Sequence, residues 1–472
     1  MTEILTPDLC VIGAGSGGLS VAAAAAAFGV PVVLIEKAKM GGDCLNYGCV
    51  PSKALLAAAK HADAFRRGAP FGIAVQRPQV DFGKVHEHVH RVIAAIAPND
   101  AVERFTGLGV RVISGTARFK DKRTVAVGEF EIKARRFVLA TGSSPAVPPI
   151  PGLDRVPYFT NETIFDLAEC PRRLAVIGAG PIGLELAQAF RRLGAEAIVI
   201  EAASPLAKDD PECAAILLDA LAREGIEIRA GTKVLGVEAG SGIELAVEGP
   251  GGSERIEASH LLVAAGRHAN VAGLDLQAAG IRHEPRGISV GSGLKTSNRR
   301  VYAIGDAIGG LQFTHVSNYH AGLVIRNALF GLPVRARNDA LPWVTYTDPE
   351  LAQVGSSEAE AAKRGAIRVL RWPYHENDRA QAERDTRGHI KVVTNRGGRI
   401  LGATIVGTQA GELIAPWALA VQRGLNIRAF AEAVLPYPTL GEIGKRAAMT
   451  YFAPGATNPW VRRIIALVRR LG

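Results

Sequence analysis

Two cysteines five positions apart, Cys44 and Cys49, lie in the stretch Gly41-Gly42-Asp43-Cys44-Leu45-Asn46-Tyr47-Gly48-Cys49-Val50-Pro51-Ser52-Lys53 and open an apolar helical run. A helix N-terminus carries partial positive charge and lowers the pKa of a thiol beside it, so one sulfur can persist as a thiolate near neutral pH. The pattern points to a dithiol that exchanges electrons with its disulfide form. A pair of buried small hydrophobic side chains is the plainer reading of two free cysteines. A zinc site would need a second pair at ligand spacing, and the sequence has none. No metal is expected.

The elements around this pair read as nucleotide-binding units. Residues 9–12 form a short apolar strand that ends in Gly13-Ala14-Gly15-Ser16-Gly17-Gly18, and residues 19–28 follow as an alanine-rich helix. Gly13, Gly15 and Gly18 let backbone approach a pyrophosphate, whose charge sits against the helix N-terminus. The next strand, residues 32–35, ends at Glu36, eighteen residues past Gly18, where a carboxylate can accept both hydroxyls of an adenosine ribose. The same unit recurs. Residues 174–177 lead into Gly178-Ala179-Gly180-Pro181-Ile182-Gly183, a helix runs to Leu193, and residues 197–200 end at Glu201, again eighteen past the last glycine. Two such units at one internal spacing imply two dinucleotides. Glu201 would bond the 2′-hydroxyl of NADH and repel the 2′-phosphate of NADPH, and Ala202 and Ala203 supply no arginine for that phosphate. NADH is therefore expected and NADPH less so, with Lys208 as the nearby cation.

With these motifs in this order, the chain from about Asp8 to about Phe452 resembles the class I pyridine nucleotide-disulfide oxidoreductases, whose members include dihydrolipoamide dehydrogenase, glutathione reductase and mercuric reductase. The resemblance implies an FAD-dependent enzyme in which Cys49 faces the flavin, Cys44 attacks the substrate and Lys53 lies by the flavin. It also implies that Glu185 pairs with that lysine. Thr141-Gly142-Ser143, after the strand at 136–140, and Gly266, after residues 260–264, match the family's crossover segments. Asp306, in Val301-Tyr302-Ala303-Ile304-Gly305-Asp306, matches the second flavin motif, with His315 nearby by alignment. The expected fold is α/β, two Rossmann-like dinucleotide-binding domains plus a C-terminal α+β dimerisation domain. Its parts are an FAD domain at 1–146 and 268–338, an NAD domain at 147–267, an interface domain at 339–455 and a basic tail at 456–472. Strands are expected at 389–394 and 400–406 and helices at 410–423 and 427–433. The family also implies a homodimer whose active site is shared between subunits.

Leu435-Pro436-Tyr437-Pro438-Thr439-Leu440-Gly441-Glu442 aligns with a family signature in which a histidine, oriented by a glutamate, shuttles protons at the substrate thiol. Tyr437 takes the histidine position and Glu442 is kept. A phenol with pKa near 10 is a poor base at pH 7 but can donate a proton or hold an anion. Mercuric reductase also has tyrosine here, yet its C-terminal cysteine pair has no counterpart after Cys213. The expected acceptor is a small-molecule disulfide of lipoamide type or a thiophilic metal ion. The rival class is a flavoprotein redox sensor or membrane-associated scaffold that does not turn over.

Composition narrows the remaining classes. At 472 residues with 48% apolar residues and 53 glycines, the chain has material for about three α/β domains. Five cysteines make no disulfide framework, and the start reads without a secretory signal, so a cytoplasmic setting is expected. The formal charge of +10 is concentrated late, with six Lys and Arg and no acidic residue after Glu442. No basic and aromatic groove pattern suggests a nucleic-acid partner. His86-Glu87-His88-Val89-His90 matches the HExxH spacing of zinc peptidases, but it falls in an expected helical hairpin without a third ligand and reads as a polar helix face. Residues 460–471 alternate arginine pairs with apolar groups. That face is expected to pack on the interface domain, with peripheral contact to an anionic membrane as the other reading.

Overall fold

The computed structural model describes residues 2–74, 76 and 78–470, and the chain divides into two compact units. The first comprises Met1–Ala179, Ala189–Ala202 and Thr232–Ala336; the second comprises Gly180–Gln188, Ala203–Gly231 and Arg337–Gly472.

The first unit is built on a parallel sheet of five strands in the order Val301–Ala303, Arg136–Leu139, Leu9–Ile12, Val32–Glu36, Val110–Ser114. All four residues of the central strand Leu9–Ile12 are buried, which explains an unbroken apolar run where a half-exposed strand would alternate. Leu9, Val11 and Leu34 face a layer made by helices Ser16–Ala27 and Thr314–Phe330. Cys10, Ile12 and Ile35 face Phe119, Val125 and Ile132 of a small sheet ordered Glu3–Leu5, Phe130–Ile132, Val125–Val127, Arg118–Phe119. Helix Ser16–Ala27 begins three residues earlier than the sequence suggests. Its first turn holds Gly17, where a Cβ would stand 3.1 Å from Ile304 Cδ1 and from Ser317 Cβ, so the absence of a side chain lets the helix start against its neighbour.

A second parallel set follows, with Arg173–Ile177 between Glu196–Glu201 and His260–Val263. The antiparallel strands Lys233–Ala239, Ile243–Gly249 and Gly252–Ala258 pack beneath it through Val237, Leu245 and Ile256. Helix Cys49–Asp63 is anchored at its far end by Asp63, which pairs with Arg192 at 3.7 Å in a buried position.

The second unit is an antiparallel sheet ordered Pro342–Thr345, Glu350–Gly355, Ile400–Gly407, His389–Asn395, Ile367–Pro373. Trp417 fills its core and stacks on Phe430 with ring centroids 3.8 Å apart. The single helix expected at 410–423 is two, Ala410–Leu413 and Ala415–Arg423, because Pro416 stands in the first turn of the second and supplies no amide to continue the first. The helix expected at 427–433 is observed as Arg428–Glu432. The tail forms helix Pro459–Val468, capped by Asn458, and leaves Trp460, Ile464, Ile465 and Leu467 exposed, which corrects the expected packing on the interface domain. Leu471, part of that expected stripe, lies outside the described residues. Among the described residues no helix is long and apolar enough to cross a membrane.

Candidate active site

The redox segment is two helices, not one. Cys44 sits in the five-residue helix Gly42–Asn46, and Cys49 is the first residue of Cys49–Asp63. Only Cys49 therefore takes the helix N-terminal position that the sequence reading gave to the pair. Asn46 fastens the short helix by donating from Nδ2 to the carbonyls of Met40 at 3.0 Å and Gly42 at 2.8 Å. Cys49 Sγ lies 3.5 Å from Thr314 Oγ1. Both sulfurs are free thiols. The Cys49 thiol is held down to about 6, first by the hydrogen bond from Cys44, then by Thr314 and the Lys53 charge, against burial and Asp43. Cys44 moves up, chiefly through that same bond to Cys49 and through its own burial. The two shifts favour a reduced pair with its proton on Cys44 and its negative charge on Cys49. Elsewhere, Cys10 and Cys213 are buried and pushed up by burial, which makes them inert.

The first glycine turn carries this segment directly. Gly13 has φ +104°, and a Cβ there would stand 2.3 Å from the Ala140 carbonyl oxygen. Glu36 folds back onto the turn and accepts from the amides of Ala14 at 2.6 Å and Ala38 at 2.8 Å. The amide of Gly41 donates to Ala14 O at 2.9 Å, and a Cβ on Gly42 would lie 2.7 Å from Gly15 Cα. Gly18 is equally constrained, its Cβ position only 1.8 Å from Gly13 O. This cradle, with a carboxylate at the strand end, fits an FAD pyrophosphate and ribose.

Behind it, Ser143 donates to Asp306 Oδ2 at 2.6 Å, and Thr141 donates from Oγ1 to Asn270 O at 2.7 Å. Burial pushes the Asp306 carboxyl up, with Ser143 and Arg267 opposing. Gly142 and Gly266 both have positive φ, +69° and +120°. Lys53 donates to Ser52 Oγ at 3.4 Å. The His315 ring stacks on Phe313 at 5.4 Å.

The second turn repeats the geometry. Gly178 has φ +108°, its Cβ position is 2.4 Å from Ala264 O, and the Ala179 amide donates to Glu201 Oε2 at 2.9 Å. Gly183 lies in helix Pro181–Leu193, and Gly180 has open space at its Cβ position. Glu185, in the same helix, accepts from the Tyr346 amide at 2.8 Å. His86 and His90 share one face of helix Phe82–Ile96 with rings 4.2 Å apart, and among the described residues no group of three or more His, Cys, Asp or Glu is arranged to hold a metal.

Side chains that the motifs did not mark hold the marked residues in place. Arg267 donates to Ser143 Oγ at 2.8 Å, Ser143 O at 2.9 Å and Asn161 Oδ1 at 3.2 Å, and pairs with Asp43 at 3.0 Å. Asn161 donates in turn to Asp43 Oδ1 at 3.1 Å and Tyr47 O at 3.2 Å. Asp378 accepts from the Tyr437 hydroxyl at 2.6 Å. The expected orienting residue, Glu442, begins helix Glu442–Thr450 and acts on Tyr437 only as a further charge. The signals for Asp43 and Arg267 stood beside Cys44 and Gly266, but a charge next to a motif does not name its distant partner.

The sequence profile of the pyridine nucleotide-disulphide oxidoreductases matches residues 7–321, and that of their dimerisation domain matches residues 341–448. The chain belongs to the class I pyridine nucleotide-disulfide oxidoreductase family. This oxidoreductase is 36% identical to a mercuric reductase of Streptomyces lividans over 454 residues, covering 94% of this chain and 96% of that one. It is 37% identical to a dihydrolipoyl dehydrogenase of Thermus scotoductus over 457 residues, covering 93% and 95% of the two chains. Its structure is similar to that of the HOCl-induced flavoprotein disulfide reductase RclA from Escherichia coli, with TM-score 0.84, 27% identity and coverage of 94% and 99%. Family membership makes it an FAD- and pyridine-nucleotide-dependent flavoprotein, and its dimerisation domain supports a homodimer.

Proposed function

We propose that this oxidoreductase passes electrons from NADH through FAD and the Cys44–Cys49 pair to a thiophilic metal ion or a small disulfide. The observation that carries the reading is Cys49 at the first residue of helix Cys49–Asp63, 3.5 Å from Thr314 Oγ1, an arrangement that favours the thiolate at Cys49 and the proton on Cys44. FAD, when bound, supplies two-electron transfer between the nicotinamide and the disulfide. Gly13, Gly15, Gly18 and Glu36 would hold its adenylate end, and Asp306, positioned by Ser143, its ribitol side. Gly178, Gly180, Gly183 and Glu201 would hold NADH, the Glu201 carboxylate selecting against a 2′-phosphate.

Once reduced, the two sulfurs hold two electrons. A metal dication takes both as the sulfurs close to a disulfide and the Cys44 proton leaves. A disulfide acceptor is attacked at one sulfur by Cys44 as its proton passes to the leaving thiolate, and the Cys49 thiolate then attacks the Cys44 sulfur. Two thiols depart, protonated by the Cys44 proton and one from solvent.

Tyr437 supports the reductive direction. Its hydroxyl donates to Asp378, whose charge raises the phenol further above its ordinary value. A phenol held protonated cannot deprotonate a substrate thiol near pH 7, as dihydrolipoamide oxidation requires. The active site is read as shared across the homodimer, with Tyr437 and Glu442 acting at the acceptor. A lipoamide-type disulfide remains the second acceptor because a dihydrolipoyl dehydrogenase is as similar to this chain as the mercuric reductase is. Anaerobic NADH oxidation with mercuric ion and with oxidised lipoamide, each compared with Cys49→Ser, tests the reading. Turnover with either acceptor should vanish in the variant.

A further inference from the structure

The Arg267 guanidinium is nearly buried, with a side chain 10% exposed, and reaches four acceptors on three separate segments. One is Asp43, the residue before Cys44. A second is Asn161, which itself holds Asp43 and the Tyr47 carbonyl. The third segment contributes both the hydroxyl and the carbonyl of Ser143, the residue that donates to Asp306. We propose that Arg267 is a positioning residue that ties the Cys44–Cys49 segment to the Ser143–Asp306 motif and cancels the Asp43 charge beside the two sulfurs.

The geometry explains why a carboxylate is tolerated there. Asp43 Oδ2 lies against Gly48, the residue before Cys49, where a Cβ would approach it to 2.9 Å. A carboxylate this close to a thiolate repels it, and Asp43 opposes ionisation of both cysteines. An opposite charge within about 4–6 Å offsets such repulsion. Arg267, at 3.0 Å from Asp43 Oδ1, is that charge. The groups facing Cys49 are Cys44, Thr314, Lys53 and Asp43; Arg267 acts on it through Asp43.

This inference rests on the dithiol reading above, and one experiment separates the two. The holoenzyme is reduced with NADH under anaerobic conditions, and the rate of iodoacetamide alkylation at Cys44 and Cys49 is followed against pH by peptide mass spectrometry. Arg267→Gln should raise the pH midpoint of alkylation by about one unit, the size expected for uncovering one neighbouring charge. Arg267→Lys should restore most of the shift. Asp43→Asn, which removes the charge with little change of shape, should lower the midpoint, and Asp43→Asn with Arg267→Gln should return it to near the wild-type value.

An unchanged midpoint in Arg267→Gln, or the same upward shift with and without Asp43, would overturn the role of Arg267 while leaving the dithiol reading standing. Should Arg267→Gln fail to fold, Asp43→Asn alone decides, and a midpoint that does not fall overturns the inference. Alkylation independent of NADH reduction in the wild type would overturn the dithiol reading itself.

Discussion

The two glycine turns are built alike and used differently. At each, a positive-φ glycine, Gly13 or Gly178, passes under a carbonyl of the crossover strand, Ala140 or Ala264, and a glutamate at the next strand end accepts the amide that follows. They part at the second glycine. Gly15 is covered by the backbone of Gly42, so the redox segment sits on the first turn, whereas Gly180 has nothing within 4 Å of its Cβ position. One turn pattern thus occurs twice, once packed against the redox segment and once open at its second glycine. The repeated geometry is the same in both places; the contact with Gly42 is what distinguishes the first.

The largest expected effect separates those roles. Gly42→Ala puts a side chain at φ +58° and 2.7 Å from Gly15 Cα, a strain of about 1–3 kcal/mol. Melting temperature and bound-flavin absorbance should both fall. Gly180→Ala meets open space, so it should leave both unchanged and raise only the KM for NADH; equal damage from the two variants would break the comparison. Next, Glu201→Ala should move the ratio of kcat/KM for NADPH over NADH upward by about tenfold, roughly 1.4 kcal/mol. A ratio that stays put would remove Glu201 from cofactor selection.

The chemistry of the first turn gives a pH signature. Because the Cys49 value is depressed to about 6, the reactive thiolate should persist from alkaline pH down to that point and be lost as pH falls through it. An ordinary cysteine would lose it near 8.5. Alkylation rates of the NADH-reduced enzyme across that range check the position of the midpoint. The smallest effect is expected at Tyr437→Phe. Removing a true general base costs about 10²- to 10⁴-fold, and a phenol already engaged with Asp378 should cost less than that in steady-state metal-ion reduction. A loss within that range would restore Tyr437 as a base.

What was legible in the sequence was local. A parallel strand, a glycine turn and a helix occupy consecutive residues, so Leu9–Ile12, Gly13 and helix Ser16–Ala27 announce themselves, and the same spacing repeated at Gly178 reveals the second strand, turn and helix. The strands of the C-terminal sheet at His389–Asn395 and Ile400–Gly407 were equally readable, although both are buried almost throughout and not on alternate residues. Contacts across long separations were not. Asp378 lies 59 positions from Tyr437, Thr314 lies 265 from Cys49, and nothing in either neighbourhood names the other. The split of the redox segment into two helices was hidden for another reason. Gly48 breaks the run, but a glycine inside an apolar helical pattern is often tolerated.

The central claim is that electrons leave through Cys44 and Cys49, and it is tested most directly by comparing wild type and Cys49→Ser in anaerobic NADH oxidation with mercuric ion as acceptor. The account predicts that NADH still reduces the bound flavin in Cys49→Ser while acceptor turnover falls to background. Undiminished turnover in Cys49→Ser would contradict it and route the electrons past the dithiol.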